Sequence, residues 1–358
     1  MDVLKIDSLI VGQGLAGTLL FRELQRKGEK VVIIDKRRAG EASRVASGMW
    51  NPLTFRLILK SWRVDELLPV ALQTYAELED ECGLKLLHPL RISRVIPDQK
   101  YGELWQTKSV DPEFSSYVKP LTAIPSHHQN LRYPAGRGLV EGAGWLDLVP
   151  FLDTFRKQCV ESETLREDEF LIQDLKLIEN GVRWKNIEAK RIIFCEGSEL
   201  RHNPWFNWLP TKPAQGDVLT LHIPNLQLDE IYNGGFFILP LGGNNYRIGA
   251  TYEWENLSPV PTEKGKAELL EKFTQAYQGA YTLVDHKAGI RPTVADRRPI
   301  LGSHPELKQL AVFNGLGTKG VMIAPFFAKR MAEFLLDGKP LEDEVNINRF
   351  RKRYEKSK

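Results

Sequence analysis

The sequence predicts an α/β fold: a doubly wound lobe assembled from discontinuous segments, plus a second lobe built on a mixed or antiparallel β-sheet. Three observations carry this. Residues 6–35 read as strand, glycine-rich turn, helix and strand, the opening of a doubly wound sheet. Between Asp217 and Tyr252 the apolar residues alternate in short runs separated by turn signals, as antiparallel strands do. From Leu310 onward, strand, glycine-rich turn and helix return, so the first lobe resumes near the end of the chain. On this reading residues 1–84, 136–210 and 286–358 form the first lobe, and 85–135 and 211–285 the second.

The opening strand runs from Ile6 to Val11 and is followed by Gly12-Gln-Gly-Leu-Ala-Gly17. Gly12 permits a tight turn, Gly14 lets backbone approach a pyrophosphate, and Gly17 lets the helix pack closely on the sheet. Unpaired amides and the positive dipole end of that helix favour a phosphate. The helix extends to Lys27, and the strand Val31 to Ile34 ends in Asp35, eighteen residues beyond the last glycine. A carboxylate there is placed to accept hydrogen bonds from ribose hydroxyls. The segment Val45-Ala-Ser-Gly-Met-Trp-Asn-Pro52 is rich in small residues, which suits backbone lying against a flat ligand. A helix is predicted over Val64 to Cys82, a strand over Leu86 to Ile96, and loops or short strands over 97–135. Trp145 to Gln158 is expected to be helical, and Arg191 to Cys195 a short strand before Glu196-Gly197. In the middle sheet, strands are expected at Val218 to His222, Phe236 to Leu239 and Tyr246 to Thr251, with Gly242-Gly243-Asn244-Asn245 as a hairpin turn. Helices are expected over 263–278 and from about Val321 to Leu336, the latter opened by Gly315, Gly317 and Gly320.

At 358 residues with 42% hydrophobic and 27% charged residues, the composition is that of a globular protein large enough for two lobes. A net charge of +3 does not point to nucleic acid, and the basic run Arg349 to Lys358 reads as a solvated tail. The opening residues leave no room for a signal peptide, and no apolar run approaches the ~18 residues of a membrane helix. Cys82, Cys159 and Cys195 form no paired spacing and read as reduced core residues of a cytoplasmic protein. The seven histidines show no metal-binding spacing, so no metal site is expected; His127-His128 lie in a polar loop. Neither a nucleophile elbow nor a P-loop is present.

The N-terminal fingerprint, the Ala46-Ser-Gly-Met49 segment, Gly289-Ile-Arg-Pro-Thr-Val-Ala-Asp-Arg-Arg-Pro-Ile-Leu-Gly302 and Asn314-Gly-Leu-Gly-Thr-Lys-Gly-Val-Met-Ile-Ala-Pro325 together resemble the D-amino-acid oxidase/glycine oxidase family of FAD enzymes. The last motif is also similar to the FAD-dependent oxidase domain of the bifunctional enzyme that modifies wobble uridine in tRNA. The resemblance spans the chain in order, with the middle region matching only in outline. It implies that Gly12, Gly14, Gly17 and Asp35 hold the nucleotide, although most of the family has Glu in place of Asp35. Ser47, Gly48 and Met49 match the segment beside the flavin, and Gly317, Thr318, Lys319 and Gly320 the turn facing its pyrimidine edge. Leu15, Ala16, Lys36 and Gly197 complete the expected cofactor-binding set. Arg291 matches the arginine that pairs with a substrate carboxylate. Phe237 falls where glycine oxidase has a pocket tyrosine and Gly235 where it has a histidine, which puts glycine in doubt as a substrate. No cysteine occupies the family's positions for covalent attachment, so FAD should be non-covalent.

The expected chemistry is oxidation of the C–N bond of an amino acid or N-substituted amino acid, with O2 or another acceptor reoxidising the flavin. Arg291, Lys319 and Phe237 form the expected catalytic set. Arg291 would orient a carboxylate with its planar fork, unless it belongs with Arg297 and Arg298 to a solvated turn paired with Asp296. The turn at Thr318 to Gly320 would stabilise negative charge on the reduced ring, with Lys319 adding an ammonium. Met49 and Trp50 either line the ring or simply pack, and Phe237 and Tyr252 face either the pocket or the lobe's core. Two rival readings are an oxidase acting on a carboxymethylaminomethyl group of tRNA, which a basic pocket mouth would favour, and a non-enzymatic dinucleotide-binding protein.

Overall fold

The structure is a computed structural model describing residues 3–358. Five parallel strands form the heart of the first lobe, in the order Leu165–Arg166, Val31–Ile34, Leu4–Val11, Ile187–Phe194 and Leu310–Asn314. The chain first builds outward in one direction from Leu4–Val11 and then in the other, so the order reverses beside that strand. Successive residues point to opposite faces and both faces are buried, as a parallel sheet requires. Ile10, Ile33, Ile193 and Phe313 pack under the helices Leu15–Arg26, Val64–Cys82, Leu148–Glu161 and Gly320–Asp337. Leu9, Val32, Ile192, Phe194 and Val312 face a second core with Trp184, Phe206 and Trp208. The short meander Leu175–Ile178 and Gly181–Trp184 extends this sheet antiparallel, and Ile300–Ser303 pairs antiparallel with Leu310–Asn314.

The second lobe is an eight-stranded mixed sheet. Its pairings are antiparallel except where Ile231–Asn233 runs parallel to Ile92–Val95. The helix Glu263–Ala276 covers one face through Leu269 and Phe273, and Trp105 packs on the other beneath Gly138, where a Cβ would overlap the indole. The expected hairpin is present, joining Phe237–Gly242 to Asn245–Gly249.

Several expectations need correction. Leu86 to Ile96 is two strands in two sheets: Leu87–Pro89 pairs with Gly144–Leu146, and Ile92–Val95 belongs to the second lobe. Pro89 has no amide to continue a ladder, and the chain crosses between sheets just after it. Trp145 lies on a strand, with the helix starting at Leu148; Pro150 then falls in the first turn, where its missing amide costs no helical hydrogen bond. Residues 97–135 contain a full helix, Gln99–Val110, whose cap is Asp98 accepting from the Tyr101 amide at 2.8 Å. Arg137–Val140 and the whole of Thr282–Arg291 pair within the second sheet, so the boundaries at 136 and 286 fall inside that sheet. Among the described residues no helix is long and apolar enough to cross a membrane.

Candidate functional site

A cavity of about 840 Å³ opens at the carboxyl ends of the parallel strands, where the strand order reverses, lined by Val11, Ile34, Cys195 and Asn314. Loops leave the sheet on opposite faces at that point, and a crevice must form between them. Its volume lies toward the upper end of the ~300–1,000 Å³ typical of ligand pockets. Gly12, Gly14, Leu15 and Ala16 line it, with Gly12 at φ +102° and no room for a Cβ, which would lie 2.6 Å from Cys195 O. Gly17 does not line the cavity: a Cβ there would overlap Gly12 O, so its task is close packing of helix on turn. Gly14 caps the helix without a side-chain bond, and the Leu15 amide donates to Ser43 Oγ at 3.1 Å.

Asp35 accepts from the Gln13 amide at 2.8 Å and from Arg156 Nη1 at 2.6 Å. It therefore ties the second strand to the fingerprint turn and offers its remaining acceptor capacity to the cavity. Lys36 lines the cavity while its ammonium turns outward to Glu169 at 3.2 Å.

At the other end stand Ser47, Gly48 and Met49. Gly48 sits at φ +67° against the Leu146 carbonyl, a place closed to any side chain. Ser47 Oγ is buried without a hydrogen-bond partner. Trp50 turns away, buried in the core with its Nε1 donating to Gly142 O at 3.1 Å. Opposite, Gly317 to Gly320 form a short turn running directly into the long helix. Gly317 and Gly197 both have positive φ, and both would point a Cβ into open space. A glycine cradle with room above it, an orphaned serine hydroxyl and helix N-termini fit a dinucleotide with a flat, polar ring.

Lys319 lines the cavity but donates to Asn51 O at 3.4 Å, Leu53 O at 3.3 Å and Ser61 Oγ. Burial without a carboxylate pushes its pKa down to about 8. Glu196 also lines the cavity; burial raises its carboxyl to about 7 against a 2.8 Å bond from Asn203 Nδ2.

Arg291 occupies the wall formed by the second sheet. Its Nη1 donates to Gln215 O and its Nη2 to Thr251 O, each at 3.1 Å. The guanidinium lies 4.3 Å from the Tyr252 ring centroid and fills space left by Gly216, where a Cβ would overlap it. Among the described residues it forms no salt bridge, and burial lowers its pKa. It is thus apart from the Asp296 turn, whose partner is Arg349 at 2.9 Å. Phe237 and Tyr252 both line the cavity, Phe237 also lying across Gly249. Charged lining residues balance: Lys36, Arg38, Arg201, Arg291 and Lys319 against Asp35, Glu41, Asp168, Glu196 and Glu199.

Sequence reasoning missed Ser43, Arg156 and Glu196, which belong to no short motif; the buried acid after an apolar strand at Glu196 was the one available signal. It also gave no reason to join His127 and His128 to Asp229, which the fold brings alongside them.

This architecture and cavity are those of a two-lobe protein with a nucleotide-binding crevice. The chain belongs to the DAO family of FAD dependent oxidoreductases, matched over residues 7–334. It is 26% identical to the bifunctional protein ThiO/ThiG of Trichormus variabilis over 97% of this chain and 55% of that protein. It is 22% identical to the tRNA 5-methylaminomethyl-2-thiouridine biosynthesis bifunctional protein MnmC of Marinobacter nauticus, over 91% of this chain and 54% of that one. The chain spans about half the length of these curated relatives. Its fold matches the crystal structure of glycine oxidase from Geobacillus kaustophilus with a TM-score of 0.80 at 20% identity, covering 97% of this chain and 98% of that one.

Proposed function

We propose that the protein holds FAD non-covalently and oxidises the C–N bond of an amino acid or N-substituted amino acid to an imine, which water hydrolyses, with O2 or another acceptor reoxidising the cofactor. FAD, when bound, would supply the hydride acceptor. The observation that carries the proposal is Arg291: a desolvated guanidinium on the wall of the family's cofactor cavity, without a carboxylate of its own.

The chain's own residues divide the remaining work. The amides opening Leu15–Arg26 would take the diphosphate, and Asp35, braced by Arg156, the ribose hydroxyls. Ser47, Gly48 and Met49 would lie along one side of the ring and Gly317 to Gly320 along the other. Cys195 lines the cavity, but burial holds its thiol well above the usual range and therefore protonated, which supports non-covalent attachment. Arg291 spends two of its five N–H groups on main-chain carbonyls, leaving three for a substrate carboxylate. Fixing the carboxylate sets which C–H faces the ring. Phe237 and Tyr252 give the neighbouring wall an apolar surface, which favours a substrate larger than glycine. Lys319 fixes the Asn51 to Ser61 hairpin and places a desolvated cation at the cavity, where it would stabilise negative charge.

A carboxymethylaminomethyl group on tRNA presents the same carboxylate and C–N bond. The balanced charge of the lining supports a free small amine over a polyanion. Anaerobic bleaching of the yellow protein by a panel of D-, L- and N-alkyl amino acids, followed by air, tests the reading. Bleaching by a carboxylate-bearing amine is the expected result. A colourless preparation, or a flavin that none of the panel reduces, would overturn it.

A further inference from the structure

Three side chains with no part in the cavity converge on the second lobe. His127 and His128 lie in the single turn Ser126–His128, and Asp229 just precedes the strand Ile231–Asn233. His127 Nε2 is 3.4 Å and His128 Nε2 is 3.6 Å from the same Asp229 oxygen, and the three candidate ligand atoms all lie within 4.8 Å of one another. The first is a long hydrogen bond and the second lies beyond hydrogen-bond distance. The two distances to Asp229 are close to the edge of a tetrahedron, about 3.3 Å, around an ion with ligand bonds of ~2.0–2.1 Å.

The second observation is His128 itself. It is fully buried, and its Nε2 has no hydrogen-bond partner although it points toward Asp229. A buried polar atom left unpaired is costly and calls for an explanation. Its Nδ1 is 3.3 Å from Tyr133 Oη, which is 3.1 Å from Ser93 Oγ. With the proton on Nδ1 the ring is oriented by Tyr133, and the Nε2 lone pair faces the carboxylate, the arrangement that metal-ligating histidines show. His127 and Asp229 are both exposed at the rim, so an ion can enter from solvent and keep a water as its fourth ligand.

We propose that His127, His128 and Asp229 bind a divalent first-row transition ion, with Zn2+ as the reference case. The ion staples the Ser126–His128 turn to the entry of the Ile231–Asn233 strand. Two imidazoles and one carboxylate suit Zn2+, Ni2+ or Cu2+ and discriminate against Mg2+ and Ca2+, which take all-oxygen shells.

The test uses the untagged, flavin-loaded protein after chelator treatment, titrated with Zn2+ by calorimetry and followed by thermal unfolding. One ion per chain with a Kd of about 1 μM or tighter is expected, with a raised Tm that Mg2+ and Ca2+ do not reproduce. His127→Ala and Asp229→Asn, both at the exposed rim, should keep flavin content and metal-free Tm while weakening Zn2+ at least about tenfold. Absence of saturable binding to the wild type, or equal affinity in the two variants, would overturn the site.

Discussion

Replacing Arg156 by alanine probes the joint between the cofactor fingerprint and the rest of the sheet. Arg156 is 4% exposed and its guanidinium makes four hydrogen bonds: to Asp35 Oδ2 at 2.6 Å, Asp35 O at 3.1 Å, Gln13 Oε1 at 3.1 Å and Glu167 Oε1 at 2.9 Å. The Glu167 pair is worth little, because that carboxylate is 61% exposed. The Asp35 pair is different, with side chains only 5% and 13% exposed. Removing one partner of such a pair leaves a charge without compensation and costs ~3–5 kcal/mol. The lower end applies here, because Asp35 keeps its bond from the Gln13 amide and borders a cavity that water can enter.

A loss of about 3 kcal/mol is therefore expected, and for a chain of 358 residues, whose unfolding entropy is about 0.75 kcal/mol/K, that lowers Tm by about 4 °C. Arg156→Lys keeps the charge without the fork and should lose about half as much. The assay is thermal unfolding of the flavin-free protein, run as a double-mutant cycle with Asp35→Asn. Because Asp35→Asn also abolishes the stranded charge, the double variant should lose about 2 kcal/mol less than the sum of the singles. A loss below about 1 kcal/mol for Arg156→Ala, or strict additivity, would refute the reasoning.

Three other outcomes are expected. Arg291→Met should raise KM for carboxylate-bearing substrates about 100-fold, near 3 kcal/mol, with flavin content unchanged; unaltered steady-state kinetics would remove Arg291 from the site. Glu196 releases its proton near 4.5 when unfolded and near 7 when folded, so the wild type loses stability as pH rises through that window. The Tm of Glu196→Gln relative to the wild type should thus rise between pH 5 and pH 8, and the same difference at both would contradict the assigned burial. Lys319 has the opposite slope: its folded pKa near 8 lies below the unfolded 10.5, so stability rises as pH climbs between them. The Tm difference between wild type and Lys319→Met should shift in favour of the wild type over that range, and a constant difference would place the ammonium in water.

The parts of this molecule legible in the sequence are those set by backbone demands over short stretches. Gly12 is required by its positive φ of +102° and Gly17 by the Gly12 carbonyl that a Cβ would strike, both within the opening turn and helix, and the Gly242 to Asn245 hairpin is a local turn preference. The helix Val64–Cys82 was readable from its periodicity alone. By contrast, Gln99–Val110 has few apolar positions, and only its Asp98 cap distinguishes it from loop. Pairings such as Ile231–Asn233 beside Ile92–Val95, or Thr282–Arg291 along Ala214–His222, join distant segments for which no local pattern exists.

The same distinction separates the two halves of the site. A diphosphate is held by main-chain amides, so the sequence must supply glycines at fixed spacing, and a reader can find them. The proposed substrate wall is held by side chains from separate elements: Arg291 ends one strand, Phe237 begins another, and Tyr252 follows a third. Nothing in their spacing along the chain encodes that they meet. What brings them together is the register of Ala214–His222 with its neighbours, which sets Ala214 opposite Arg291 and Val218 opposite Gly249, and Gly249 in turn opposite Phe237. A one-residue slip in that ladder would turn every one of these side chains to the other face. Gly216 and Gly249 fit this account: each is small where a guanidinium or a phenyl ring from the adjacent strand must lie across the backbone. On the proposed function, substrate choice is therefore written in sheet register and in the glycines that make room for it, while cofactor choice is written in the opening turn.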